Sequence, residues 1–146
     1  MNTCLAVGLS SLICLAMAGC GTTAPAAPKP TEEGMTTLPS GLKYRVEKDG
    51  TGASPTATDE AEVHYRGQFA DGREFDSSYS RGKTARFPVN GVIKGWTEAL
   101  QLMKEGAVWH LSIPSSLGYG PRGMPPVIPP DATLYFQVEL IKVHKR

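Results

Sequence analysis

The sequence predicts one α+β domain, in which an antiparallel sheet of five to six strands wraps around one short amphipathic helix. Three observations carry this reading. Period-two alternation recurs from Leu42 onward, a single stretch has helical spacing, and Gly- and Asp-rich turn signals punctuate the strands.

Taken in order, Leu42, Tyr44 and Val46 alternate with Lys43, Arg45 and Glu47, the mark of a half-buried strand. Asp49-Gly50 and Gly52 then signal a turn. Ala61, Val63 and Tyr65 alternate with Glu62, His64 and Arg66 in a second strand. Ala70-Asp71-Gly72 reads as a hairpin turn into a strand over 73–77. A further short strand covers 85–89, with Pro88 marking an edge or bend. Trp96, Ala99, Leu100 and Met103 fall at i, i+3, i+4 and i+7, one apolar helical face, and Gly106 lies where a C-terminal cap is expected. Residues 107–113 form a strand stopped by Pro114. The loop over 115–130 holds five of the chain's 12 prolines, and its Gly118-Tyr119-Gly120 and Ile128-Pro129-Pro130 elements argue for a rigid flap. Leu134, Phe136, Val138 and Leu140 close the domain with an alternating strand.

The N-terminal region is of another kind. Residues 1–21 carry no charged side chain, and the apolar run over 5–18 is shorter than the ~20 residues a spanning helix needs. It matches the apolar centre of a secretory signal. Met17-Ala18-Gly19-Cys20 resembles a bacterial lipobox, which implies lipidation at Cys20 and a membrane anchor. Ala16-Met17-Ala18 also offers an ordinary cleavage site, which would release a soluble product. Residues 21–38 are rich in Ala, Pro and Thr and read as a flexible tether. The expected organisation is therefore a signal over 1–20, a tether over 21–38 and a folded domain over 39–146.

Composition removes several function classes. With 15 Lys+Arg against 14 Asp+Glu, the chain has no basic field for nucleic acid and no acidic tail. Cys4, Cys14 and Cys20 are its only cysteines, so the body has no disulfide, thiolate zinc site or catalytic thiol. His64, His110 and His144 are scattered without metal spacing, and His64 and His110 read as sheet-face residues. No nucleophile elbow, P-loop, dinucleotide fingerprint or zincin motif occurs. No cofactor and no metal are expected.

What stands out is a set of aromatic and branched residues at element ends: Tyr65, Phe75, Phe87, Val92, Ile93, Trp96, Tyr119 and Phe136. Aromatics in a small domain are ordinarily core. The strings around them are more specific. VHYRG (63–67), DGREFDSSYSRG (71–82), FPVNGVIKGW (87–96), LGYG (117–120) and VIPPDATLYFQVEL (127–140) resemble, in order and spacing, the FKBP family of peptidyl-prolyl cis-trans isomerases. The resemblance runs from about residue 38 to residue 143.

That resemblance implies an isomerase acting on X–Pro bonds through a pocket floored by Trp96. Its walls would be Tyr65, Phe75, Val92, Ile93, Tyr119 and Phe136, with Ile128 contributing from the flap. Asp76 would sit at the rim, paired with Arg81. The Tyr119 hydroxyl and the Ile93 backbone N–H would donate to substrate carbonyls, giving Asp76, Tyr119 and Ile93 the catalytic roles. Ala85 stands where many family members carry an aromatic wall, which implies a more open pocket and weaker macrolide affinity. Met124 and Pro126 alter the flap tip. The implied partners are proline-containing polypeptides and macrolide inhibitors, and the implied form is a monomeric lipoprotein of the periplasm or outer membrane. The alternative is a chaperone or adaptor of the same fold that holds proline segments without catalysis.

Overall fold

The computed structural model describes residues 29–146. The expected signal segment, Cys20 and the start of the tether lie outside the described residues. Among the described residues, no helix is long and apolar enough to cross a membrane.

Alternating sequences build a seven-stranded sheet: β1 (Thr36–Thr37), β2 (Lys43–Lys48), β3 (Glu60–Gln68), β4 (Glu74–Ser77), β5 (Ala85–Pro88), β6 (Val108–Ile113) and β7 (Leu134–His144). Every pairing is antiparallel, in the order β1-β2-β6-β7-β3-β4, with β5 also lying along β3. Strand alternation sorts side chains onto two faces. Ala61, Val63 and Tyr65 of β3, Leu111 and Ile113 of β6, and Leu134, Phe136 and Val138 of β7 are buried on the inner face. Their intervening neighbours face outward, and His64 there stacks on Tyr79.

The helix α2 (Lys94–Leu102) lies across that inner face. Trp96, Ala99, Leu100 and the following Met103 are all buried against the sheet, which matches the predicted stripe. Fully burying a Leu or Met side chain contributes about 1.5–3 kcal/mol, so this face holds the helix in place. Gly95 lets the helix approach closely, because a Cβ there would stand 2.7 Å from Ile113 Cγ2.

The structure departs from the expected elements in three places. Gly106 does not cap α2. The helix ends at Leu102, its C-cap Met103 has an extended backbone, and Gly106 (φ +89) turns the chain into β6 while its N–H donates to Leu140 O at 2.7 Å. A one-turn helix, α1 (Ser78–Arg81), follows β4. The Ser77 side chain caps it by accepting from Ser80 N, and Gly82 (φ +65) closes it. Four residues are too few to show a helical period, so α1 is invisible in the sequence pattern.

The third departure concerns the segment read as a tether. Thr36 and Thr37 pair with Tyr44 and Lys43. The Glu32 carboxylate accepts from Ser112 Oγ at 2.7 Å and Tyr135 Oη at 3.2 Å, and pairs with Lys43. Arg45 donates to the Glu33 carbonyl at 3.2 Å. Residues 32–37 are tied to the sheet by partners remote in sequence, which composition does not reveal.

Candidate functional site

Between α2, the end of β4 and the 115–130 loop lies a cleft of about 480 Å³. Trp96, at the first turn of α2 and only 5% exposed, forms its floor. Three rings stand nearly perpendicular to the indole: Tyr65 at 5.2 Å and 82°, Phe136 at 5.2 Å and 83°, and Phe87 at 5.8 Å and 87°. Phe75 extends the wall, edge-on to Phe136 at 5.5 Å. Edge-to-face packing of this kind is favourable beyond area burial. The indole N–H is buried and has no hydrogen-bond acceptor among the described residues. Ring packing is what holds the floor among the described residues.

Local structure explains how these side chains converge. The chain before α2 supplies Gly91, Val92 and Ile93 to the cleft, and the loop supplies Tyr119. Gly67 on β3 makes the Phe75–Phe136 contact possible. A Cβ at that position would lie 2.6 Å from Phe75 Cζ and 2.8 Å from Phe136 Cε1.

One carboxylate reaches the rim. Asp76 Oδ2 accepts from Tyr65 Oη at 2.5 Å, and Asp76 Oδ1 accepts from Arg81 Nη1 at 2.5 Å. Arg81 Nη2 also donates to Tyr65 Oη at 2.9 Å, closing a three-membered network, and the guanidinium lies over the Tyr65 ring. The α1 turn is what brings Arg81 back beside β4. Partial burial pushes the Asp76 carboxyl up, but the Tyr65 and Arg81 hydrogen bonds and the Arg81 charge outweigh it, so its pKa lies below the usual 3.8. Burial, and then the Asp76 charge, raises the Tyr119 pKa above 10. Burial, and then the Asp76 hydrogen bond, does the same for Tyr65. Both phenols hold their protons at neutral pH.

Two donors remain unengaged. The Tyr119 hydroxyl makes no hydrogen bond to any described residue, and neither does the Ile93 N–H, although the Ile93 carbonyl starts α2 by accepting from Trp96 N and Thr97 N. The site thus combines an apolar, aromatic hollow with a few fixed polar groups at its edge.

Residues 52–141 match the FKBP-type peptidyl-prolyl cis-trans isomerase family. The chain belongs to that family. It is 53% identical over 112 residues to the FKBP-type 22 kDa peptidyl-prolyl cis-trans isomerase of Escherichia coli, covering 77% of this chain and 54% of the relative. It is 47% identical to the Outer membrane protein MIP of Legionella longbeachae, over 79% of this chain and 49% of that protein. The crystal structure of a peptidyl-prolyl cis-trans isomerase from Pseudomonas syringae superposes with a TM-score of 0.73 at 38% identity, covering 80% of this chain and 86% of that one. The chain spans about half the length of the curated relatives it matches.

The residues expected to line an FKBP cleft divide into three groups. Tyr65, Phe75, Asp76, Val92, Ile93, Trp96, Tyr119 and Phe136 line the same hollow. Arg81 does not line it, and acts on it through Asp76 and Tyr65. Ile128 is not part of it either. It is 1% exposed and lies beneath a separate hollow beside the loop, because the loop folds back on itself with Met124 and Ile128 exchanging backbone hydrogen bonds. Phe87 belongs to the FKBP cleft although the expected walls omit it, whereas Ala85 does not line it. The alternation within β5, which puts Ala85 and Phe87 on one face, is the signal available for Phe87.

Proposed function

We propose that this chain is a peptidyl-prolyl cis-trans isomerase acting on X–Pro bonds. The observation that carries the reading is the Trp96-floored aromatic cleft with two unengaged donors and a single carboxylate at its rim.

The chemistry asks for little else. Rotation about a peptide bond faces a barrier of about 18–20 kcal/mol that comes from amide resonance. No covalent bond breaks, so no nucleophile is needed. At the perpendicular transition state conjugation is lost, and the dipole of the planar amide shrinks. An apolar hollow therefore favours the twisted amide over either planar form. The proline ring rests on the Trp96 indole between the upright rings. Ile93 N–H and Tyr119 Oη hold the flanking carbonyls, and Asp76, fixed by Arg81 and Tyr65, orients the rim electrostatically. Every ~1.4 kcal/mol by which the twisted form is bound better is worth tenfold in rate.

The decisive measurement is NMR exchange spectroscopy on an Ala-Pro peptide with the full chain and a Trp96→Ala variant. Catalysis predicts accelerated cis-trans exchange that falls at least tenfold in the variant. Peptide binding without acceleration would refute catalysis and favour the holding chaperone or adaptor.

We further propose that the mature protein is a monomeric lipoprotein, acylated at Cys20 and facing an extracytoplasmic compartment. The lipobox-like Met17-Ala18-Gly19-Cys20 supports this, as does the outer-membrane name of the Legionella relative. Cys20→Ser should move the protein from the membrane to the soluble fraction. Unchanged fractionation would refute lipidation.

A further inference from the structure

A second hollow of about 280 Å³ adjoins the cleft, between the turn joining β3 to β4 and the tip of the 115–130 loop. Phe69 and Arg73 form one side, Pro126, Val127 and Pro129 the other, and Ile128 lies beneath. Both sides are built before any ligand arrives. The turn is closed by Phe69 N–H on Arg73 O at 2.8 Å and Gly72 N–H on Phe69 O at 2.9 Å. The Arg73 guanidinium covers the Phe69 ring at 5.3 Å. The loop tip is clasped by Met124 N–H on Ile128 O at 2.9 Å and its reciprocal bond at 2.8 Å.

The hollow is separate from the cleft but neighbours it, because a ring lining one packs on a ring lining the other. Phe69 packs on Phe75 at 4.8 Å, and Phe75 packs on Phe136 at 5.5 Å. Those two steps together reach at most about 10 Å, which an extended chain covers in about three residues. Val127, 46% exposed, leaves apolar surface at the mouth, and Met124, 44% exposed, lies in the clasp with Ile128.

Resting on the isomerase reading, we infer that this hollow is a second substrate subsite. It takes a large apolar or aromatic side chain from the same polypeptide, two to three residues from the proline. Selection would thereby extend beyond the residue directly beside the proline to one two or three positions away. Proline rings lining one side suit such a side chain, because they present rigid apolar surface and lose no side-chain entropy on contact. Arg73 disfavours a cation at the same place.

The test uses the full chain and a peptide set in which one leucine or phenylalanine moves through the three positions on each side of a single proline in an alanine background. Affinity is read by NMR shift perturbation and turnover by exchange spectroscopy. One placement two or three residues from the proline should bind about five- to tenfold more tightly than the all-alanine peptide, with shifts at Phe69 and Val127. Val127→Asp, at an exposed position, should abolish that gain, as should Phe69→Ala if it folds. The subsite is overturned if no placement tightens binding, or if the gain survives Val127→Asp. Tightening without any acceleration of exchange would sink the isomerase reading while leaving the subsite standing.

Discussion

Gly67→Ala tests whether the cleft depends on aromatic rings held in position by packing alone. The added methyl would start 2.6 Å from Phe75 Cζ and 2.8 Å from Phe136 Cε1, where carbon atoms prefer about 3.5–4.0 Å. Each ring must therefore yield by about 1 Å. Overpacking of this size costs about 1–3 kcal/mol, which lowers Tm by roughly 5–15 °C in a domain of this length. The functional loss should be larger than the thermal one suggests. Phe136 stands edge-on to Trp96, and the indole N–H has no acceptor among the described residues to resist a shift. A misplacement near 1 Å at a reacting centre can cost about a hundredfold, so kcat/KM on an Ala-Pro peptide should fall ten- to a hundredfold. Circular dichroism melts give the first quantity. Exchange spectroscopy well below Tm gives the second, on fully folded protein. Wild-type turnover in the Gly67→Ala variant would refute the idea that these two rings set the site, whatever its Tm.

Other outcomes follow from the rim. Asp76→Asn should cost little stability, about 0.5 kcal/mol, because both members of the Asp76–Arg81 pair are about half exposed and screened, yet turnover should drop about tenfold; equal losses of both would mark Asp76 as merely structural. Because the folded Asp76 pKa is depressed, its ion-pair stabilisation is fully present above the usual 3.8 and is lost only as pH falls below that value. Tyr65 and Tyr119 have raised pKa values, so their donors persist until pH exceeds 10. Turnover should therefore be flat from about pH 5 to pH 9, and a titration within that window in the pH–rate profile would contradict the assignment. Met103→Ala, fully buried behind α2, should cost about 2–5 kcal/mol by denaturant melt, with kcat/KM per folded molecule changed less than twofold. Glu32→Gln should speed amide exchange at Thr36 and Thr37 while leaving Tm nearly unchanged.

Much of this architecture can be read from the chain before any coordinates. Alternation locates β3 and β7 because each has one wet and one dry face. The 96, 99, 100, 103 spacing locates α2 for the same reason, and order-preserving local strings point to Tyr65, Asp76, Trp96, Tyr119 and Phe136. What escapes is whatever depends on partners distant in sequence or on elements shorter than one period. β1 exists because β2 offers it an edge and Glu32 finds Ser112 and Tyr135. Resemblance draws Ile128 to the cleft, but the clasp at the loop tip turns it beneath the neighbouring hollow. Gly67 carries no side chain to attract attention, and its importance is the room it leaves for two rings.

Strand order has a consequence for how the molecule comes into being. β7 is the last strand along the chain, yet it lies between β6 and β3, bonded to both. Until its residues emerge, the nascent polypeptide holds two detached ribbons with bare edges, a sticky state dominated by long-range closures yet to be made. Phe136 travels on that same strand, so the aromatic hollow and the finished sheet are born together in a single late event.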